Sequence, residues 1–353
     1  MPSRTLALSH KSQVNISCPT ELRMFLLCIC ALAAVIQSSL TDGGASLIVA
    51  LSALFAALLT ESLISIKSGR LTILDGSAAV SAFVLTLLLP NTVTPVAAVL
   101  GVMFAVTVTK MSYGGLGASW LNPALSGILF LRFCWPSLFN DALSTSPLMV
   151  LSAGINSGGL LDAPMDFLRQ NGFNTIHGNI TSFINEYILS IFKVEYPAFY
   201  LDFYNAQFNG IIADRGVYAL LICSIVLLVF GVSRYLYSAV YLALYLFMIE
   251  VFGGLPFSGK LLDGDMIFGL LTGGTVVAAF FLLSEPSTSP KTSAGKYIIA
   301  ILAALLSFFF RYVKNEQLGA IFAIAVINLL VPLIRSIESA HFFKKDNTRC
   351  LNS

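Results

Sequence analysis

The sequence predicts an all-α polytopic membrane protein with about ten transmembrane helices in two inverted five-helix repeats. Composition is the first observation: 57% of the 353 residues are hydrophobic and only 11% are charged, whereas ordinary soluble domains carry about 25% charged residues. The second is the recurrence of apolar stretches of nearly membrane-spanning length. Because lipid offers the backbone no hydrogen-bond partners, such stretches are expected to form helices. The third is a weak internal repeat, described below.

Ten apolar stretches are candidates for crossing, and each is compared with the ~20 residues that a spanning helix needs. They cover residues 24–40, 46–66, 74–90, 95–110, 121–136, 217–233, 235–252, 266–283, 297–311 and 316–334. Several are short, and residues 121–136 would reach only about 24 Å as a helix. The short stretches therefore need tilt, local thinning of the bilayer or a half-helix arrangement.

Basic residues predict the orientation, since cytoplasmic segments are enriched in Lys and Arg. If the N-terminus is cytoplasmic, thirteen of the twenty basic residues fall on the inner side, namely Arg4, Lys11, Arg23, Lys67, Arg70, Lys110, Arg234, Lys291, Lys296, Arg335, Lys344, Lys345 and Arg349. The short outer loops 41–45 and 91–94 contain none. Both termini are therefore expected to be cytoplasmic. The predicted parts are an N-terminal tail (1–21), a first repeat (22–136), a periplasmic loop or cap (137–216), a second repeat (217–335) and a C-terminal tail (336–353).

The outer segment 137–216 is longer than an ordinary connection. It contains the aromatic run "EYPAFYLDFYNAQF" at 195–208. The aromatic residues favour packing, so we expect a small, partly helical cap on the outer mouth. The alternative is an unstructured insertion.

The internal repeat rests on two pairs of segments that occur in the same order. "AVSAFVLTLLLPNTVTP" (79–95) and "TVVAAFFLLSEPSTSP" (275–290) are both runs of small apolar residues that end in Pro, Ser or Thr, and a second Pro. "LGASWLNPALSGILFL" (116–131) corresponds to "LGAIFAIAVINLLVPL" (318–333). With five crossings per half, the second half enters from the outer side, so the halves are inverted. Inverted repeats place a site near the bilayer midplane, built by broken helices; chance similarity of apolar sequence is the alternative.

Four carboxylates in or beside the apolar stretches are candidates for an ion or proton pathway, because intramembrane acids are costly and usually face a cavity or a partner. They are Asp75, Glu61, Glu250 and Glu285. For Asp75 the alternative is a helix cap at the membrane interface. For Glu61 and Glu250 it is a hydrogen bond to a neighbouring helix.

The stretch "GGLGASWLNPALSG" (114–127) interrupts two apolar segments. Gly115 and Gly117 permit positive φ and close backbone approach, and Asn122 followed by Pro123 is typical of a helix start. A helix N-terminus presents free N–H groups and a partial positive charge, which suit a carbonyl, a flavin ring or an anion. No strand precedes the glycines, so the dinucleotide-binding fingerprint does not apply. The alternative is a plain junction between a loop and a helix.

Several classes of site and partner are not expected. The three His residues lie far apart, and the six Cys residues form no CxxC pair, so we predict no metal or iron–sulfur site. The net charge of +2 predicts no nucleic-acid partner.

Four segments carry a resemblance to a known family: "DGSAAVSAFVLTLLLP" (75–90), "YGGLGASWLNPALSG" (113–127), "AAFFLLSEPSTSPKTSAGK" (278–296) and "AIAVINLLVPLI" (323–334). In order and spacing they resemble RnfD, a membrane component of the Rnf ferredoxin:NAD oxidoreductase, and the related NqrB of the Na⁺-translocating NADH:quinone reductase. The resemblance implies ten helices in two inverted halves, similar to the urea-transporter fold, in the bacterial inner membrane. It also implies electron transfer through flavins, coupled to movement of Na⁺ or H⁺.

The same resemblance implies roles for single residues. Asn122 matches an asparagine near the family's non-covalent riboflavin, and Ser119 stands where another flavin-side asparagine is usual. Asp75 matches an acid linked to cation uptake, and Glu285 replaces the Asp of a Thr-Asp-Pro element whose proline is retained as Pro286. The implied riboflavin-binding set is Gly115, Gly117, Ser119 and Asn122.

The sequence departs from the family where a threonine usually holds FMN through a phosphodiester. The family carries Ser-Gly-Ala-Thr-Pro-Leu in the outer segment after the fifth span, whereas this chain reads "SGGLLDAPMDFL" (157–168). Asp162 or Ala163 occupies the threonine position before Pro164. Because alanine has no hydroxyl, we predict no covalent FMN.

The resemblance implies a flavin-carrying component of a translocase that is not catalytic alone. Its expected partners are the lipid bilayer and the other proteins of the complex, of the Rnf A, B, C, E and G types. Two alternatives stay open: a urea-type solute channel without a redox role, and a scaffold protein that has lost its flavins.

Overall fold

The computed structural model describes residues 20–68, 75–114, 119–139, 210–231, 235–257, 261 and 266–351. Within these ranges every regular element is helical, apart from one antiparallel β-bridge between Pro90 and Ile211. The predicted all-α class is confirmed for the described part of the chain. The predicted outer cap falls almost entirely outside these ranges.

Before the outer segment, the described residues form five α-helices in succession: α1 (Thr20–Thr41), α2 (Ala45–Ser68), α3 (Ser77–Leu88), α4 (Pro95–Phe104) and α5 (Pro123–Cys134). The first two are 22 and 24 residues long. By contrast, α3 and α5 have 12 residues each, a length of about 18 Å. The apolar stretch 121–136 is therefore a short helix that begins at the Asn-Pro pair.

From residue 210 onward, the part of the chain that the structure describes contains seven α-helices: α6 (Ile212–Arg215), α7 (Val217–Val229), α8 (Tyr235–Phe252), α9 (Met266–Leu271), α10 (Thr275–Val277), α11 (Ser293–Phe308) and α12 (Gly319–Leu351). The predicted stretch 266–283 is interrupted between α9 and α10, where Gly273 and Gly274 have φ of +69° and +65°. The last helix continues past residue 334, the end predicted from hydropathy, and contains Pro332.

Three of these helices pass into π-helical segments. Ala105–Met111 continues α4, Ala278–Leu282 continues α10 and Phe309–Val313 continues α11. Such widened turns are frequent at functional sites. Here two of them carry buried basic side chains, Lys110 and Arg311.

Among the helices that the structure describes, four are candidate membrane spans by length and apolar character: Leu22–Thr41, Ala45–Lys67, Ser293–Val313 and Gly319–Ala340. Five further apolar helices are shorter. Large apolar side chains such as Phe55 and Ile66 point outward, and they are 69% and 75% exposed. A soluble surface rarely exposes so many large apolar side chains. The described part of the chain is helical, and the protein is a polytopic membrane protein.

Small residues let the helices pack closely. Beside Gly127 on α5, an added Cβ would meet Leu85 of α3 and lie 2.7 Å from the carbonyl oxygen of Gly101 on α4. A Cβ added at Gly216 would likewise lie 2.5 Å from the carbonyl oxygen of Ala34 on α1. Small residues at crossings are the usual means of close packing between membrane helices.

Candidate functional site

A cavity lies where the short helices of the first part of the chain meet the π-helical segment after α10. Its volume is about 660 Å³, including the open mouth. Ser77, Lys110 and Asn122 line it from the first part of the chain, and Phe281 and Glu285 line it from the second. Apolar walls with a few converging polar groups are typical of sites for small ligands and cofactors.

Asn122 marks the end of the glycine-containing interruption. Its Oδ1 accepts the N–H of Leu125 at 3.3 Å and so caps α5, while Pro123 occupies the first turn. The predicted helix start at this Asn-Pro pair is confirmed. The Nδ2 of Asn122 donates to the Glu285 carboxylate, which joins two segments that are 163 residues apart in sequence.

Glu285 lies in the turn after the π-helical segment and faces the cavity. Enclosure by surrounding protein raises the pKa of its carboxyl, whereas hydrogen bonds from Ser287 and Asn122 and the charge of Arg23 act in the opposite direction. Burial is the largest of these effects, so the pKa of Glu285 lies above its ordinary value. In its ionised form the carboxylate would attract a cation, and in either form it can accept a hydrogen bond.

The start of α3 forms the second wall. Gly76 adopts φ of +70°, and Asp75 Oδ1 accepts the N–H of Ser77 at 2.9 Å and its hydroxyl at 2.8 Å. The same oxygen lies 3.3 Å from Lys110 Nζ. Asp75 thus caps a helix and also belongs to a charged cluster, so the two interpretations drawn from the sequence are compatible.

Glu61, Lys110 and Asp75 form this charged cluster. The ammonium of Lys110 contacts Glu61 Oε1 as well as Asp75, and the Lys110 and Glu61 side chains are 3% and 0% exposed. The other oxygen of Glu61, Oε2, is buried and has no hydrogen-bond partner among the described residues. An isolated buried charge is costly, so the opposite charges stabilise one another here.

Of the remaining predicted site residues, one lines the cavity, one lies away from its wall, and three fall outside the described ranges. Ser119 is buried and lines the cavity. Glu250 lies in the last turn of α8, half-buried, and is not part of the cavity wall. Gly115, Gly117 and Ala163 are outside the described residues.

Sequence reasoning assigned Lys110 only a topological role and therefore missed its place in the site. The available signal was a single lysine at the end of an apolar run, directly before the Gly-rich interruption. A lysine at such a place is expected to extend to water unless acids from other helices reach it. Those acids could not be located before the helices were packed.

The side chain of Arg311 occupies the interruption between α9 and α10. Arg311, which is 0% exposed, donates to the carbonyl oxygens of Thr272 at 2.5 Å and Gly269 at 3.4 Å. It also donates to the hydroxyls of Thr272 and Thr275. Backbone groups released by the break are thus satisfied by protein, as membrane helices require.

Asp214 of α6 satisfies the other side of the same break. Its Oδ1 accepts the N–H of Gly274 at 3.2 Å, and its Oδ2 accepts from Gln317 Nε2 at 3.4 Å. Burial raises the pKa of Asp214 to about 7, although Arg311 and nearby backbone N–H groups lower it. Neither Asp214 nor Arg311 stood out in the sequence, because both lie outside the matching segments.

The family model described as NQR2, RnfD, RnfE family matches residues 7–344. The chain belongs to this family. The resemblance inferred from the sequence segments is therefore confirmed, and the match extends over both sets of helices.

Relatives of this family member are D components of ion-translocating complexes. The chain is 25% identical over 312 residues to the D component of the proton-translocating ferredoxin:NAD(+) oxidoreductase complex of Clostridium ljungdahlii, with 88% of each chain covered. It is 25% identical over 282 residues to the D component of the Na(+)-translocating ferredoxin:NAD(+) oxidoreductase complex of Acetobacterium woodii, covering 77% of this chain and 74% of the relative. It is 29% identical over 326 residues to the D component of the ion-translocating oxidoreductase complex of Shigella boydii, covering 88% and 90%.

Proposed function

We propose that the chain is the flavin-carrying membrane component of an ion-translocating oxidoreductase complex. In this role it couples electron transfer, between ferredoxin and NAD or between NADH and quinone, to transport of Na⁺ or H⁺. Family membership and the names of the relatives support the complex. The cavity closed by Asn122 and Glu285 is the observation that supports a bound cofactor.

The proposed cofactor is non-covalent riboflavin, and the residues that line the cavity suit its chemistry. Leu27, Val80, Val84 and Phe281 provide apolar walls for a planar ring, and polar groups at Ser119, Asn122 and Lys110 can meet its edge. The starts of α3 and α5 both face this space and carry partial positive charge, which favours electron-rich groups. A bound flavin supplies one- and two-electron chemistry, and the protein supplies its position and its electrostatic environment.

The proposed topology has ten helices in two inverted halves, 22–136 and 217–335, with the outer segment between them. Matching features support it. A glycine with positive φ precedes a short helix in each half, at Gly76 and Gly274. A buried basic residue also lies in the π-helical segment that continues the next helix: Lys110 after α4 and Arg311 after α11. The distribution of basic residues favours cytoplasmic termini in a bacterial inner membrane.

The proposed ion pathway begins at the charged cluster. Asp75 and Glu61 are candidates for cation uptake on the predicted cytoplasmic side, and Glu285 would carry the pathway to the cavity wall. Glu250 remains a candidate relay away from the cavity. Other proteins of the complex must deliver and remove electrons, because one flavin within a membrane protein cannot bridge the membrane alone.

The two alternative functions make different demands on the same fold. A urea-type channel needs a continuous passage, whereas in the described part of the chain Arg311 fills the break between α9 and α10. This observation favours the redox role over the channel. A scaffold without flavin differs from the proposal only in cofactor content, which is measured directly by flavin extraction from the purified chain.

Replacing Asn122 with Leu is expected to weaken riboflavin binding about two- to tenfold, because one hydrogen bond is worth about 0.5–1.5 kcal/mol. The measurement is the flavin released from the purified full chain after titration with riboflavin. Phe133→Leu, at a position that is 78% exposed on the same helix, is the control and should bind normally. Unchanged affinity in Asn122→Leu would remove this residue from the site, and a wild-type chain that binds no flavin would refute the proposed function.

The denatured chain is expected to show no flavin fluorescence on a gel, even after co-expression with the family's flavin transferase. The reason is the missing acceptor hydroxyl at Ala163. A family member that retains the Ser-Gly-Ala-Thr-Pro-Leu motif serves as the positive control. A fluorescent band from this chain would show that another residue accepts FMN.

A further inference from the structure

We infer that Lys110 couples the charge of the cavity to the Glu61–Asp75 pair, so that negative charge entering the cavity converts this pair into a site for one monovalent cation. The inference rests on the proposed function, because it takes the cavity to hold the flavin. It assigns the coupling to one positioning residue.

Lys110 lies at the boundary between the two places. It lines the cavity, and its ammonium also contacts one oxygen of Glu61 and one oxygen of Asp75. One positive charge is therefore shared by two carboxylates. A third negative charge in the cavity would compete for the same ammonium, because opposite charges attract strongly where water is excluded.

Glu61 provides an independent sign that the acid pair can take a ligand. Its side chain is 0% exposed, and its Oε2 has no hydrogen-bond partner among the described residues. An unsatisfied buried acceptor of this kind is destabilising. Hard cations prefer carboxylate oxygens, so a cation at Oε2 would supply the partner that Lys110 leaves out.

The side chain of lysine suits this role. Its ammonium is a compact point charge on a flexible four-carbon stem, in contrast to the rigid fork of arginine. If the cavity held a flavin, an electron delivered by a neighbouring redox protein would add negative charge beside Lys110. The ammonium would then shift toward the cavity, and one cation would take its place between Glu61 and Asp75. One electron and one cation enter together, so the net charge of the region is unchanged.

The corresponding basic residue in the second half lacks such a pair. Arg311 donates to the neutral carbonyl oxygens of Gly269 and Thr272, and these are the ends of a broken helix. Movement of Arg311 would leave the backbone unsatisfied without freeing two acids. The coupling is therefore specific to the Lys110 side of the molecule.

A redox titration of the full chain, purified in detergent and loaded with riboflavin, tests the coupling. At constant ionic strength, Na⁺ replaces choline stepwise. Because cation and electron each strengthen the binding of the other, the wild-type midpoint potential should rise with Na⁺, by up to about 59 mV per tenfold increase if one cation accompanies one electron. A rise with H⁺ instead of Na⁺ supports the same coupling with a proton as the cation.

Lys110→Met should abolish this dependence, since the acid pair is then free in both redox states. Lys67→Met, at an exposed lysine on α2, is the matched control and should keep the wild-type slope. If Lys110→Met fails to fold, the double variant Glu61→Gln/Lys110→Met takes its place, because it removes one negative charge together with the positive one. Its midpoint potential is likewise expected not to depend on Na⁺. The inference would be overturned if the midpoint potential of either Lys110→Met variant depended on Na⁺ as strongly as that of the wild type. It would also be overturned if the potential of the flavin-loaded wild type depended on neither Na⁺ nor H⁺.

A second readout does not require flavin and so separates this inference from the proposed function. Without flavin, Na⁺ should raise the Tm of Lys110→Met relative to choline, because the acid pair is open, while the wild-type Tm should not change. Equal responses of the two chains would contradict the inference even where flavin binding is confirmed. Absence of flavin binding would refute the proposed function instead.

Discussion

Arg311→Met is expected to lower the free energy of unfolding by about 3–5 kcal/mol, the range for removal of one partner from a buried charged network. Methionine has a similar length but cannot donate to the carbonyl oxygens of Thr272 and Gly269. These groups would remain buried without partners, and Asp214 would lose the nearby positive charge. The break between α9 and α10 would then be the first part of the helix bundle to open.

The loss is measured as the fall in Tm of the detergent-purified chain, followed by size-exclusion chromatography after heating. Arg132→Met provides the control, because Arg132 forms a partly exposed ion pair with Glu316 at 3.1 Å. Such pairs contribute about 0–1 kcal/mol. Equal Tm values for the two variants would show that Arg311 does not hold the break closed.

Gly127→Ala is expected to lower the free energy of unfolding by about 1–3 kcal/mol through overpacking. The added methyl group would meet Leu85 and lie 2.7 Å from the carbonyl oxygen of Gly101. The backbone oxygen cannot rotate away as a flexible side chain can, so α5 must shift. Because Asn122 caps the same helix, the shift should also weaken flavin binding.

Both effects are measured on one preparation, by the Tm and by riboflavin titration. The control is Phe133→Ala, which truncates an outward-facing side chain on α5 that is 78% exposed. It should change neither quantity appreciably. Wild-type stability in Gly127→Ala would mean that the crossing of α3, α4 and α5 is looser than these distances indicate.

The sequence was informative where local chemistry determines structure. The Asn122-Pro123 pair identified the start of α5, and Asp75 was recognised as a helix cap and as an acid of interest. Such signals act within a few residues, so they survive without knowledge of the packing. The apolar stretches located helices for the same reason.

The sequence was uninformative where distant segments meet. "LLTGGTVV" (270–277) continues an apolar stretch, and only the φ values of Gly273 and Gly274 reveal the break. Arg311 is a single charge beside apolar residues, and its burial depends on carbonyl groups about forty positions away. The contact between Asn122 and Glu285 spans 163 positions, beyond the reach of any periodic pattern.

The filled break has a consequence for stoichiometry. Two inverted repeats, as proposed, would offer two equivalent positions for a ligand, yet beside Gly273 even one extra carbon would collide with the guanidinium of Arg311. No isoalloxazine can stack there while that guanidinium stays in place. On the proposed function, each polypeptide should therefore carry a single non-covalent chromophore, while the position beside Gly273 would contribute rigidity instead.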